Sequence, residues 1–175
     1  MRSIRQFALV LLPLPALFTI APSTASDLHE DVVETIAEFK KKDPKIEKFF
    51  AGAAGYAVFP SVAKGAIGFG GARGNGELLV GGKAIGKTTL SQVTVGFQLG
   101  GQKYSEIIFF EKQAPLDGFK NGDFAFAAEA SAVALTSGAS ANAAYRNGVA
   151  VFTMAKGGLM YEASVGGQKF DYKPY

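Results

Sequence analysis

The chain changes its hydrophobic period once. From Asp27 to Lys42 the apolar residues Leu28, Val32, Ile36 and Phe39 recur at intervals of three and four, which places them on one face of a helix. Asp27 with Glu30 three residues on has the form of a capping box, and Lys40, Lys41 and Lys42 suit the negative C-terminal end of the helix dipole. Asp43 and Pro44 then restart a short helix as N-cap and first-turn proline, carrying Ile46, Phe49 and Phe50 until Gly52.

Beyond Gly52 the period is two, and all 22 glycines lie at or after that residue. Tyr56, Val58 and Phe59 open a strand that Pro60 is expected to interrupt, because proline has no N–H for a ladder. From Gly65 the alternation resumes, with Ile67 and Phe69 on one face and Ala66, Gly68, Gly70 and Ala72 on the other. A bare face costs about 0.5–1 kcal/mol per glycine relative to alanine, so close approach by another backbone, a helix or a ligand is expected, and the helical arm ahead of it is a candidate cover. Gly74-Asn75-Gly76 predicts a turn into Glu77–Val80, and Gly81-Gly82 predicts another. Leu90 to Leu99 alternates, with Val93, Val95, Phe97 and Leu99 opposite Gln92, Thr94, Gly96 and Gln98. Gly100-Gly101 is expected to turn the chain into Lys103–Glu111, whose Ile107–Phe110 is apolar on both faces and predicts a central strand.

Pro115–Lys120 reads as a short helical turn. Phe124–Leu135 is alanine-rich, yet Phe124 and Phe126 are two apart and Ser131, Val133 and Thr136 weaken a helix, so a strand is expected there. Val149–Ala155 and Leu159–Val165, joined across Gly157-Gly158, close the chain as a strand pair. The fold class is α+β: a curved antiparallel glycine-rich sheet, sandwich or partial barrel, with the N-terminal helices packed on it.

Residues 1–25 read as a secretory signal peptide, with Arg2 and Arg5 ahead of an apolar run from Phe7 to Ile20 and small residues Ser23 and Ala25 before the cleavage point. Residues 26–175 then form one domain, with 27–51 as helical arm and 52–175 mainly β. The expected location is outside the cytoplasm, periplasmic or extracellular, soluble or peripheral on a membrane. The 18 Lys and Arg against 15 Asp and Glu lose two arginines with the signal, so the mature excess is +1 and gives no reason to expect nucleic acid. There is no cysteine and a single histidine, His29, which excludes a disulfide framework and a Cys/His metal cluster and leaves no triad.

Gly81-Gly82-Lys83-Ala84-Ile85-Gly86-Lys87-Thr88 matches a phosphate-loop pattern, but that chemistry needs the loop to open a helix, and a period-two strand follows. A lysine-bearing hairpin is the expected structure, with no nucleotide. Gly68 and Gly70 fail as a dinucleotide fingerprint because Arg73 stands where the third glycine belongs. Glu106 sits in an otherwise apolar strand, where burial raises a carboxyl pKa; a structural role is expected over acid–base work.

Lys40, Lys41, Lys42, Lys45 and Lys48 lie beside Phe39, Phe49 and Phe50. Basic residues among aromatic ones suit an anionic membrane surface, at about 1 kcal/mol per Lys; the alternative is a solvated helix end whose aromatics face the core. The order Phe39-Lys-Lys-Lys-Asp-Pro, Phe49-Phe50, Gly55-Tyr56-Ala57-Val58-Phe59-Pro60-Ser61-Val62 with Lys64-Gly65, Gly74-Asn75-Gly76, Gln98–Gln102, Tyr104-Ser105-Glu106 and Gly157-Gly158-Leu159 resembles the SYLF family of lipid-binding domains over residues 35–172. The resemblance implies a non-enzymatic module without cofactor or metal that binds anionic phospholipid at an envelope membrane surface. Lys40, Lys41, Lys42, Lys45 and Lys48 are the candidate contacts, with Lys64 and Arg73 as second contacts. Eukaryotic members insert an amphipathic helix ahead of the domain into the bilayer; here that position is held by Asp27–Lys42, whose first half is acidic. The competing expectation is a structural or self-assembling envelope protein whose glycine-rich face packs a partner subunit. Oligomeric state is left open.

Overall fold

A computed structural model describes residues 25–67, 69–95, 100–126, 132–157 and 165–175. The signal-peptide expectation, Gly68, Gln98 and Leu99, and most of the predicted Leu159–Val165 strand lie outside these residues.

Helix α1 (Ala25–Lys42) leads through a 3₁₀ turn (Pro44–Ile46) into α2 (Glu47–Gly52). The helix begins two residues ahead of the expected cap, so Asp27 lies within its first turn. Strands β1 (Gly55–Ile67), β2 (Phe69–Val80), β3 (Lys83–Val95) and β4 (Gly100–Phe110) follow, then α3 (Gln113–Lys120), the two-residue β5 (Val133–Ala134), β6 (Val149–Gly157) and β7 (Gln168–Pro174). Among the described residues they form one sheet of order β5-β6-β4-β1-β2-β3-β7, antiparallel except for the β5–β6 pair. β4 is central, as its two-sided apolarity requires.

Pro60 does not end β1. The strand bulges there, losing register with β2 between Val58 and Ser61 and with β4 between Phe59 and Val62, and the missing N–H falls where the ladder is broken anyway. Ser105 Oγ donates to the Pro60 carbonyl at 2.9 Å. Gly74-Asn75-Gly76 is correspondingly not a turn but part of β2, paired with β1 on one side and β3 on the other. The reason is steric: a Cβ at Gly76 would stand 2.2 Å from the Val58 carbonyl oxygen, and one at Gly74 would stand 2.9 Å from Val62 Cγ2. The glycines let β2 pass the bulge. Gly81 and Gly82 do form the β2–β3 turn, both with positive φ, whereas Gly100 and Gly101 belong to β4.

The sheet rolls on itself without closing. Gln168 of β7 reaches Tyr104 and Glu106 of β4, with three strands between them in sheet order, and Phe170 packs on Phe59 with ring centroids 5.8 Å apart. Two apolar cores result. The inner core lies within the roll, with Phe59, Leu78, Leu90, Ile108 and Phe110 from the strands and Leu116 and Phe119 from α3. The outer core lies under the N-terminal helices, where Val32, Phe39, Ile46 and Phe49 meet Tyr56, Val58, Leu79, Ile107 and Phe109. The bare face of β2 turns inward: Gly70 is buried and Ala72 belongs to the inner core. α1 therefore does not cover it, and packs instead on the opposite face.

The Phe124–Leu135 segment is a strand only at Val133–Ala134; 127–131 lie outside the described residues. Phe124 and Phe126 instead join Phe110, Phe119 and Phe170 in an aromatic cluster beside β7, with centroid separations of 5.1–5.9 Å. Burying those rings outweighs continuation of a ladder. On β3 the polar member of the alternation faces inward: Gln92 is buried and Val93 is exposed.

Candidate functional site

The end of α1 and the turn after it carry the five lysines, and the structure divides them. Asp43 fixes the turn: Oδ1 accepts from Lys45 N at 3.1 Å and Oδ2 from Ser140 N at 2.7 Å. Burial pulls its pKa upward, but the hydrogen bonds from Ser140 and Lys45 outweigh it and hold the carboxyl below its ordinary value. Lys40 is paired with Glu47 at 2.9 Å and lies over the Phe50 ring at 4.6 Å. Lys48 donates to the carbonyls of Ala141 and Ala143 and lies over Phe49. Those two charges serve the fold, while Lys45 is exposed on the turn.

Lys41 and Lys42 remain exposed and line an open groove of about 650 Å³ between α1 and β6, together with Glu38, Met154, Ala155 and Lys156. Lys156 Nζ stands 3.6 Å from Glu38 Oε2, which ties the strand to the helix. Lys156 was not legible as a site residue, because only the β4–β6 pairing brings it beside residues more than a hundred positions earlier. The aromatics of the cluster face the core: Phe39 and Phe49 are buried, and Phe50 packs edge-on against Tyr56 and Phe109. They supply no inserting edge.

Lys64 and Arg73 are separated from this groove and from each other. Lys64 shares the inward face of β1 with Val62, and its charge acts on Glu106, whereas Arg73 is exposed on the opposite face of β2 from Ala72. Glu106 is fully buried, accepts from Gln168 Nε2 at 3.0 Å, and has its carboxyl pushed up to about 8 by burial, against the pull of the Gln168 hydrogen bond and the Lys64 charge. His29, to which the sequence assigned no partner, places Nδ1 2.7 Å from Glu77 Oε2, and Tyr175 donates to the other oxygen of the same buried carboxylate. Lys87 and Thr88 of the phosphate-loop pattern lie within β3 and not at the start of a helix.

Residues 91–173 match the family model described as Ysc84, Las17-binding protein actin regulator. Over these residues, just under half of the chain, it is similar to the SYLF (Ysc84) family. It is also 31% identical over 72 residues to Beta cell expansion factor A of Aeromonas veronii, an alignment covering 41% of this chain and 28% of that protein. The SYLF match takes in β4, α3, β6 and β7, so it includes Lys156 and Glu106 but not the helical arm. SYLF domains are generally non-enzymatic, and the family points to a lipid-binding or actin-related role.

Proposed function

We propose that the chain is a non-enzymatic, peripheral binder of anionic phospholipid in the cell envelope, exported to a periplasmic or extracellular location. The headgroup sits in the groove between α1 and β6. The observation that carries this reading is the convergence of Lys41, Lys42 and Lys156 around one open groove floored by Met154. Three ammonium groups near an anionic surface contribute about 1 kcal/mol each, and the apolar floor suits the glycerol end of a lipid. Lys40 and Lys48 are excluded from the contact set because hydrogen bonds to Glu47 and to the Ala141 and Ala143 carbonyls hold them, whereas Lys156 stands 3.6 Å from Glu38, beyond hydrogen-bond reach. The self-assembly alternative loses its surface, since Gly70, Ala72 and Gly74 are buried inside the roll.

The test is co-sedimentation with anionic vesicles at low salt. Lys41→Glu/Lys42→Glu/Lys156→Glu should weaken retention by about a hundredfold or more, from the loss of about 3 kcal/mol. Lys40→Met should leave it within about twofold, close to what an exposed ion pair contributes. Equal retention of the triple variant and the wild type would refute the groove.

A further inference from the structure

A second depression, of about 400 Å³, lies at the other end of α1, between the first half of the helix and the outer faces of β1, β2 and β3. Its floor follows from strand register. Ser61 pairs with Asn75 and Asn75 with Thr89, so three short polar side chains stand in one row across three strands. At about 4.8 Å per strand that row spans roughly 10 Å. Lys87 lies one row further on, opposite Glu77, but the Glu77 carboxylate is already taken by His29 and Tyr175. Among the described residues Lys87 has no ion pair, and its neighbour across β7 is another cation, Lys173. Asp31 forms the opposite wall from the helix, also without an ion pair among the described residues. Thr88 also borders the depression, but it shares the inward face of β3 with Leu90 and Gln92, so its buried hydroxyl is not among the donors.

The geometry points to a binding site for a small zwitterion carrying a primary ammonium and a phosphate, of the ethanolamine phosphate type, either free or as a lipid headgroup. Asp31 takes the ammonium. Lys87 and the hydroxyls of Ser61 and Thr89 take the phosphate, whose several oxygens match three donors better than a carboxylate's two. A nucleotide does not fit this chemistry: the Lys87-Thr88 pair sits on a strand without converging backbone N–H groups, and no aromatic platform lines the pocket. The site is independent of the lysine groove: from Asp31 to Lys42 the helix rises by eleven residue steps, about 16 Å.

The test is an NMR titration of the purified protein with O-phosphoethanolamine at millimolar concentration. Shifts are expected at Ser61, Asn75 and Thr89, and Lys87→Met should weaken binding about tenfold or more. Asp31→Asn should erase the preference for O-phosphoethanolamine over glycerol phosphate, a readout that a mere loss of stability would not produce. Absence of shifts at these residues, or equal binding of glycerol phosphate and of glycine by the wild type, overturns the proposal. Neutral vesicles with and without phosphatidylethanolamine separate the two sources: Lys87-dependent retention identifies the headgroup, and binding of the free compound without retention identifies a soluble ligand. The lysine-groove triple variant should bind O-phosphoethanolamine normally, so failure of either site is read without reference to the other.

Discussion

Glu106→Gln preserves the shape of a side chain inside the rolled sheet while removing its ionisation. Glu106 is fully buried with Oε2 held by Gln168 and Oε1 without a partner, and its carboxyl is raised from 4.5 to about 8, chiefly by burial. The folded protein therefore keeps a proton that the unfolded chain releases near pH 4.5. Between those two values the native state binds more protons, so stability is greatest below pH 4.5, falls as pH rises towards about 8, and is flat above. At 1.36 kcal/mol per pH unit the full loss is about 5 kcal/mol, of which about 3 kcal/mol is reached at neutral pH. These are upper bounds, since water entry and relaxation of the sheet lower the desolvation cost. Urea unfolding of both proteins at a series of pH values isolates the contribution, because every other titrating group cancels in the difference. The variant should match the wild type near pH 4.5 and exceed it progressively up to about pH 8. Parallel stability curves across that range would refute the reasoning, and would mean that Glu106 is ionised in the folded state.

Gly76→Ala places a Cβ 2.2 Å from the Val58 carbonyl oxygen at the β1 bulge. It should cost about 3 kcal/mol or more, read as a fall in thermal midpoint or loss of folded protein. Gly81→Ala meets open space and strains only a left-handed backbone, so about 1–2 kcal/mol is expected in the same assay. Asp43→Ala removes the acceptor for Lys45 N and Ser140 N and should cost about 2–3 kcal/mol. The Asp43 contribution is present above its unfolded value of 3.8 and is lost as pH falls through the lowered folded value, so in the wild type it appears as an acid limb absent from the variant.

The helical arm was legible because its apolar stripe answers to one surface, the outer core, and a 3.6 period needs no knowledge of the partner. The long β1–β2 pairing was not, because Pro60 and Gly74–Gly76 are breakers when read locally; placed opposite one another at a bulge, each excuses the other. Gln92 and Val93 do lie on opposite faces, but which face is inside was not legible. Alternation shows that a strand has two faces, but the roll decides which is inside, and Gln92 is kept inside by donating to the Gly166 carbonyl at 2.6 Å. β7 lacked a sequence signal because its apolar residues, Phe170 and Tyr172, stand among Lys169, Asp171 and Lys173. Lys41 and Lys42 were visible as candidates from local charge, whereas Lys156, His29 with Glu77, and the Ser61-Asn75-Thr89 row exist only through topology.

Both proposed sites have a wall on α1, which bears on how the proposed membrane contact would be made. In the eukaryotic members a helix ahead of the domain enters the bilayer, which requires its apolar face to be free. Here that face carries Val32 and Phe39, both fully buried against Tyr56, Val58 and Leu79. Releasing them costs roughly 1.5–3 kcal/mol per side chain. The His29–Glu77 contact at one end and Lys156–Glu38 at the other would be lost as well. Insertion would regain the apolar term in lipid but would expose the outer core of the sheet to water, including Phe109 and Phe152. The balance favours a helix that stays docked. On the proposed function α1 would work as a frame holding Lys41 and Lys42 at one end and Asp31 at the other, with membrane contact made through headgroups.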